Sequence, residues 1–401
     1  MEHSKKKILF DTCLNIVAAA IPIIYIQLLA FPLVAKRENV ESYGLMVAMY
    51  AIMMFTPNIS GNALANLRLI KRESYENRKG DFNLLVFYYG IINALILICL
   101  FASYYSLNNI MGILLACIAS MMTFYNAYYE VDFSLKLNFR CRLLLRICLV
   151  AGYFFGTILY FIFDYWELIF IGGQVCSSLY IYKKSCLYKE PWGKTEWYKE
   201  TKRDSMQLVS ASCLSSSLNY VDKLLLFPLL GASIVSVYNV ATVMGKIVLL
   251  LVPPINSLVL SYISHAKKVK KILILKVAIV CICVCSILGL LCILLSKYIL
   301  QILYPQFWRE AIQYVPITSL MVIIAATANM IQTFVLRFCD IKWQTLINGV
   351  AVAIYFSVGL VLVQKFGLYG FCFGYIVSYT IRLILLLLVF LRTYDEGKEK
   401  C

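Results

Sequence analysis

Four charged residues lie inside stretches otherwise built of aliphatic and aromatic side chains. Asp222 and Lys223 sit in SSLNYVDKLLLFPLLG (216–231), Lys246 in the next apolar run, and Arg382 in the last. A charge in mid-helix costs about 2.5–3.5 kcal/mol on membrane-insertion scales, so one that persists faces water or a partner. Lys246 and Arg382 lie near the middle of their runs, whereas Lys223 is close enough to an end to snorkel. Neighbouring positions on a helix diverge by about 100°, so the sequence pairs Asp222 with a cation of another helix, Lys246 or Arg382, and not with Lys223. Such a pair either joins helices or acts as a switch that ties and releases them. Three cations against one anion leave positive charge at depth, which suits an anionic ligand. Asn15, Asn58, Asn62, Asn66, Asn219 and Asn239 add donors and acceptors for a hydroxyl-rich cargo, although each alone reads more simply as an interhelical hydrogen bond.

The elements that must position these residues follow from composition. Of 401 residues 62% are hydrophobic and only 14% charged, with a mean hydropathy of +0.79, the profile of a chain dissolved in lipid. Twelve apolar runs reach the roughly 20 residues needed to cross a bilayer: about 10–34, 43–67, 82–104, 108–129, 143–163, 166–187, 206–230, 233–260, 272–296, 312–336, 343–364 and 368–391. They lack the alternation of a barrel strand, so they must be helices. The start, MEHSKKKILF, reads as the flank of an uncleaved first span.

A net charge of +16 raises the question of nucleic acid, and placement answers it. Most Lys and Arg fall at the N-terminus and in every second loop, the asymmetry of cytoplasmic loops, with both termini cytoplasmic. The basic rim also attracts anionic headgroups, at about 1 kcal/mol per charge. The 15 cysteines lie mostly within spans as small apolar fillers, and neither they nor the two histidines are spaced for a disulfide framework or a metal site.

The chain also repeats. QLLAFPLV (27–34) reads onto KLLLFPLL (223–230) at an offset of 196 residues, and the same offset carries Pro57 onto Pro253. Two six-span halves follow, 1–187 and 206–401 with its short tail, joined by a polar, aromatic linker, 188–205. Each half starts on the Lys-rich side, so the repeats are parallel. The expected fold is all-α and integral to the membrane, with twelve transmembrane helices in two parallel six-helix halves around a central cavity. Pro22, Pro32, Pro57, Pro228, Pro253, Pro254 and Pro316 fall in spans as candidate bends. Gly152/Gly156 and Gly370/Gly374 have the spacing of close helix contacts.

The span count, the parallel repeat, the DK pair followed by LLG-x6-YNVAT (229–242), LYPQFWREA (303–311) and KFGLYGFCFGY (365–375) together resemble bacterial polysaccharide transporters. These are the O-antigen and capsule flippases of the multidrug/oligosaccharidyl-lipid/polysaccharide exporter superfamily. The resemblance covers the whole length and implies translocation of an undecaprenyl-pyrophosphate-linked oligosaccharide across the bacterial inner membrane by alternating access. It implies that Lys246 and Arg382, with Lys223, bind pyrophosphate or acidic sugars among Asn219, Asn239 and Asn62. It implies that Arg68, Arg140, Arg142 and Arg146 collect the lipid headgroup at the cytoplasmic mouth. Asp222 is the deep carboxylate for a coupling proton or sodium ion, and a polysaccharide polymerase is a possible partner. The two further C-terminal spans of the lipid II flippases are not found. No cofactor and no ATP-binding loop is implied. An ion-coupled multidrug-type antiporter of the same fold is the alternative. A polytopic polymerase is disfavoured because the outward loops are too short for a catalytic site.

Overall fold

The computed structural model describes residues 14, 17–71, 78–104, 109–136, 138–249, 271–339 and 341–393. Among these the chain is helical, with no strand. In chain order the long helices are α1 (Val17–Arg37), α2 (Val40–Ile70), α3 (Lys79–Tyr104), α4 (Ile110–Leu135), α5 (Phe139–Phe163), α6 (Glu167–Lys184), α7 (Tyr198–Leu230), α8 (Ala232–Leu249), α9 (Lys271–Leu303) and α10 (Val315–Phe338). The last stretch, Ile341–Thr393, contains Gly367 at φ 54° and ψ −133°, which breaks it into α11 (341–366) and α12 (368–393). Eight stretches among the described residues are long and apolar enough to cross a membrane, Ile341–Thr393 supplying one of them through its 51-residue segment Lys342–Arg392. The protein is a multi-pass membrane protein.

The 51-residue stretch would be about 77 Å long if straight, far beyond a hydrocarbon core of about 30 Å. It instead folds back on itself. A Cβ added at Gly370 would lie 2.0 Å from the Leu362 carbonyl oxygen, and one at Gly374 2.6 Å from the Gly359 Cα. Ser378 donates to the Ala351 carbonyl at 2.7 Å. Residue numbers in these pairs fall on one side as they rise on the other, the signature of an antiparallel hairpin. Only glycine adopts the turn at Gly367 without strain, and only glycines let α11 and α12 approach so closely. Gly152 and Gly156 do the same for α5 against α6, where an added Cβ would meet the carbonyls of Gly172 and Leu168 at 2.3 Å.

Proline bends take an identifiable form. Pro32 has no N–H to continue the α1 ladder, and the turn before it, Ile26–Ala30, widens to a π-helix in which Phe31 N–H reaches back to Ile26. Pro57 and Pro228 lie inside α2 and α7. Pro316 corrects the expectation of a bend: it occupies the first turn of α10, where a missing N–H has no partner to lose. Pro253 and Pro254 lie outside the described residues, as does Asn15.

By contacts the chain forms two compact units, Met1–Val34 with Leu45–Leu225, and Ala35–Gly44 with Leu226–Cys401. In the first, α4 packs on both α3 and α6, and α6 packs along α5. In the second, α10 is the hub, packed on α8, α9 and the α11–α12 hairpin. The first turn of α2 belongs to the second unit, where Ser236 donates to the Val40 carbonyl at 2.6 Å.

Candidate functional site

Arg382, on α12, is 4% exposed. Its Nε donates to Asn348 Oδ1 of α11 at 3.2 Å and its Nη1 to Asn329 Oδ1 of α10 at 3.1 Å, while Nη2 donates to Gln332 Oε1. One turn earlier Tyr379 places its ring 5.2 Å from the guanidinium carbon, and Tyr375 stacks on Tyr379 with centroids 4.3 Å apart. The hairpin sets Asn348 opposite Arg382, and α10 supplies Asn329 and Gln332 from adjacent turns of one face. Every polar partner is a neutral amide. Among the described residues no carboxylate lies within ion-pair distance of Arg382. Amide dipoles and an aromatic face hold the cation in place but leave its charge uncancelled.

Lys246, on α8, is partly exposed and donates to Asn239 Oδ1 at 2.7 Å. Asn239, fully buried two turns earlier, donates its Nδ2 to the Tyr43 hydroxyl at 2.9 Å. The Tyr43 ring packs against Phe307, centroids 5.2 Å apart. This relay and the Arg382 cluster both belong to the second unit.

Asp222 and Lys223 correct the sequence reading. Lys223 Nζ lies 3.0 Å from Asp222 Oδ2 and 3.1 Å from Oδ1, and the Lys223 N–H donates to the same carboxylate. The divergence of their Cα–Cβ bonds does not prevent this, because a four-carbon lysine stem is long enough to curl back around the helix. In the same unit Asn62 donates to Asn58 at 3.3 Å, and Asn58 donates to the Met54 carbonyl at 2.7 Å and the Tyr220 hydroxyl at 3.0 Å. This polar ladder joins α2 to α7. The Asn219 side chain lies outside the described residues.

The basic rim is largely paired. Arg68 is fully buried between the rings of Phe82 and Tyr128, and its guanidinium donates to Glu190 and to the Tyr128 hydroxyl. It therefore cannot collect a headgroup, which corrects that expectation. Burial pushes the Glu190 carboxyl up from its usual range, with Arg68 opposing. Arg142 and Arg146 share Glu130, at 2.8 and 2.6 Å, and Arg140 is exposed. Lys71 meets Glu200 and Asp204, each at 2.9 Å, and Arg78 meets Glu200 at 3.2 Å. Asp81 accepts from the backbone and hydroxyl of Thr195. These contacts staple 188–205 to the first unit.

Sequence reasoning missed two things. Asp222 is not alone as a buried acid: Asp81, Glu130, Asp132 and Glu167 are also buried. It also missed the amides around Arg382, although Asn329 and Gln332, isolated polar residues three apart in an apolar run, were the available signal. No group of three or more His, Cys, Asp or Glu side chains among the described residues is arranged to hold a metal ion.

No protein-family model matches the chain, and no curated protein matches it. Solved structures do. The lipid II flippase MurJ in an inward closed conformation superposes with a TM-score of 0.71 at 15% identity, over 97% of this chain and 87% of that one. An inward-facing multidrug resistance MATE family transporter of the MOP superfamily gives 0.68 at 14% identity, over 93% of this chain and 96% of that one. The Vibrio cholerae MATE transporter VcmN in its bent form gives 0.65 at 13%, over 96% of each chain. With its helices, hairpin and length of match taken together, the chain has the fold of the transporters of the MOP superfamily.

Proposed function

We propose that the protein is a flippase that moves an undecaprenyl-pyrophosphate-linked oligosaccharide, an O-antigen or capsule repeat unit, across the bacterial inner membrane by alternating access. The observation that carries this reading is Arg382, a buried guanidinium held by three neutral amides, with no carboxylate within ion-pair distance among the described residues. A buried cation left uncancelled is costly, and an anionic ligand relieves that cost where a cationic drug increases it. Lys246, steadied by Asn239, is the second phosphate or acidic-sugar ligand, a point charge where Arg382 offers a fork. Arg140, with Arg142 and Arg146 around Glu130, collects the headgroup.

Asp222 is the coupling carboxylate of this reading. A proton or sodium ion there releases the Lys223 ammonium. Twelve spans in two parallel repeats are part of the proposal. They are supported by Ser236 meeting Val40 and Asn239 meeting Tyr43 at the repeat's own offset of 196.

The MATE likeness favours a second reading, an ion-coupled small-molecule antiporter. Replacing Arg382 and Lys246 with Ala in the native host separates the two. Loss of surface polysaccharide at normal membrane level supports the flippase; intact polymer with altered drug tolerance supports the antiporter.

A further inference from the structure

In the first unit α3 and α7 face each other across a groove of about 570 Å³, within the range of about 300–1,000 Å³ in which proteins hold small molecules. Leu85, Tyr88 and Ile92 line it from one face of α3, spaced three and four residues apart, and Met206 and Val209 line it from one face of α7. The groove starts at the linker. A Cβ on Gly80 would lie 2.5 Å from the Gly193 carbonyl oxygen, so α3 rises from beside Lys194 and carries Ile92 about 18 Å away.

The two ends differ in chemistry. At the linker end stand Lys194 and Lys202, both exposed and neither within ion-pair distance of a carboxylate among the described residues. Their neighbours Lys71 and Arg78 are ion-paired to Glu200. The Lys194 ammonium lies 5.3 Å over the Tyr198 ring, which aims it at the groove mouth. Trp192 and Trp197 are 58% and 45% exposed on the same linker, the placement of an interfacial aromatic belt. The far end is apolar, and its walls belong to helices that read as spans.

We propose that this groove binds one anionic glycerophospholipid of the surrounding leaflet, its phosphate at Lys194 and Lys202 and one acyl chain along Leu85, Ile92, Met206 and Val209. Two unpaired cations at headgroup depth select the anion, and the apolar floor selects a chain-bearing ligand over a free phosphate. The site is separate from Arg382 and Lys246 and stands whether or not the proposed cargo is correct.

The test is native mass spectrometry of the purified full chain, exchanged into phosphatidylglycerol or into phosphatidylcholine of the same acyl composition. The wild type retains one phosphatidylglycerol in preference to phosphatidylcholine. The Lys194→Gln/Lys202→Gln variant, altered only at exposed side chains, holds it about thirtyfold less tightly. Ser210→Trp, which fills the groove and keeps both charges, also loses it. Equal retention of the two lipids by the wild type, unchanged retention by the double lysine variant, or preferential capture of a neutral polyprenol would overturn the assignment.

Discussion

Asn239 gives its side-chain N–H to the Tyr43 hydroxyl and takes the Lys246 ammonium on its carbonyl oxygen, so the amide that orients the cation is itself held by a tyrosine 196 positions before it in sequence. Asn239→Asp keeps the shape and adds an anion 2.7 Å from the ammonium. The expected outcome is loss of polysaccharide export with unchanged membrane level, because the new carboxylate competes with an anionic cargo for Lys246. Tyr43→Phe leaves the Asn239 N–H buried without that acceptor and lowers stability by about 1–3 kcal/mol, read by thermal melting.

The Asp222–Lys223 pair makes a separable prediction. Both groups are buried, so breaking the pair by Asp222→Asn or Lys223→Met alone lowers the melting temperature, by the equivalent of about 3–5 kcal/mol. The double variant Asp222→Asn/Lys223→Met recovers most of it. If Asp222 couples an ion to transport, the double variant is folded but inactive; a folded and active double variant removes that role.

The linker staple carries a pH signature. Glu200 and then Asp204 raise the Lys71 pKa, and Lys71 foremost lowers that of Glu200. A raised lysine contributes stability below its unfolded value, near 10.4, and loses it as pH climbs through the folded value. A lowered carboxyl contributes above its unfolded value, near 4.3, and loses it as pH falls through the folded value. The melting difference between wild type and Lys71→Met is therefore flat between roughly pH 5 and 10 and shrinks on both sides. A difference that does not change with pH would show that the contact is packing alone.

The hairpin glycines are a steric prediction. Gly370→Ala puts a methyl 2.0 Å from the Leu362 carbonyl oxygen, so α11 and α12 must separate. A loss of about 1–3 kcal/mol follows, with export falling in step because Asn348 reaches Arg382 across this hairpin. Gly349→Ala, where an added Cβ meets nothing within 4 Å, is the control.

Much of the fold was legible because lipid permits few solutions: long apolar runs without alternation must be helices, and among the described residues α2 to α12 lie where those runs fall, the run 233–260 being described only to 249. The break between the last two runs was visible as the gap at 365–367, and Gly152/Gly156 as a packing pair. What failed were statements about partners. Asp222 was given a distant cation because backbone directions were weighed and the reach of a lysine stem was not. Arg68 was read as a surface arginine from its place at a span end, yet burial there depends on Glu190 folding back from a linker 122 residues later, which no local pattern encodes. The Arg382 cluster likewise joins α10, α11 and α12, and only the hairpin register brings Asn348 across.

The central claim is that an uncancelled buried guanidinium recognises an anionic lipid-linked cargo. Its most direct measurement is the affinity of the purified protein for undecaprenyl pyrophosphate against undecaprenol, in the wild type, Arg382→Lys and Arg382→Gln, each verified as folded by its melting temperature. The wild type should prefer the pyrophosphate, with Arg382→Gln losing about ten- to hundredfold and Arg382→Lys falling between. Equal binding of both lipids by the wild type, or an Arg382→Gln variant that discriminates as well as the wild type, would contradict it.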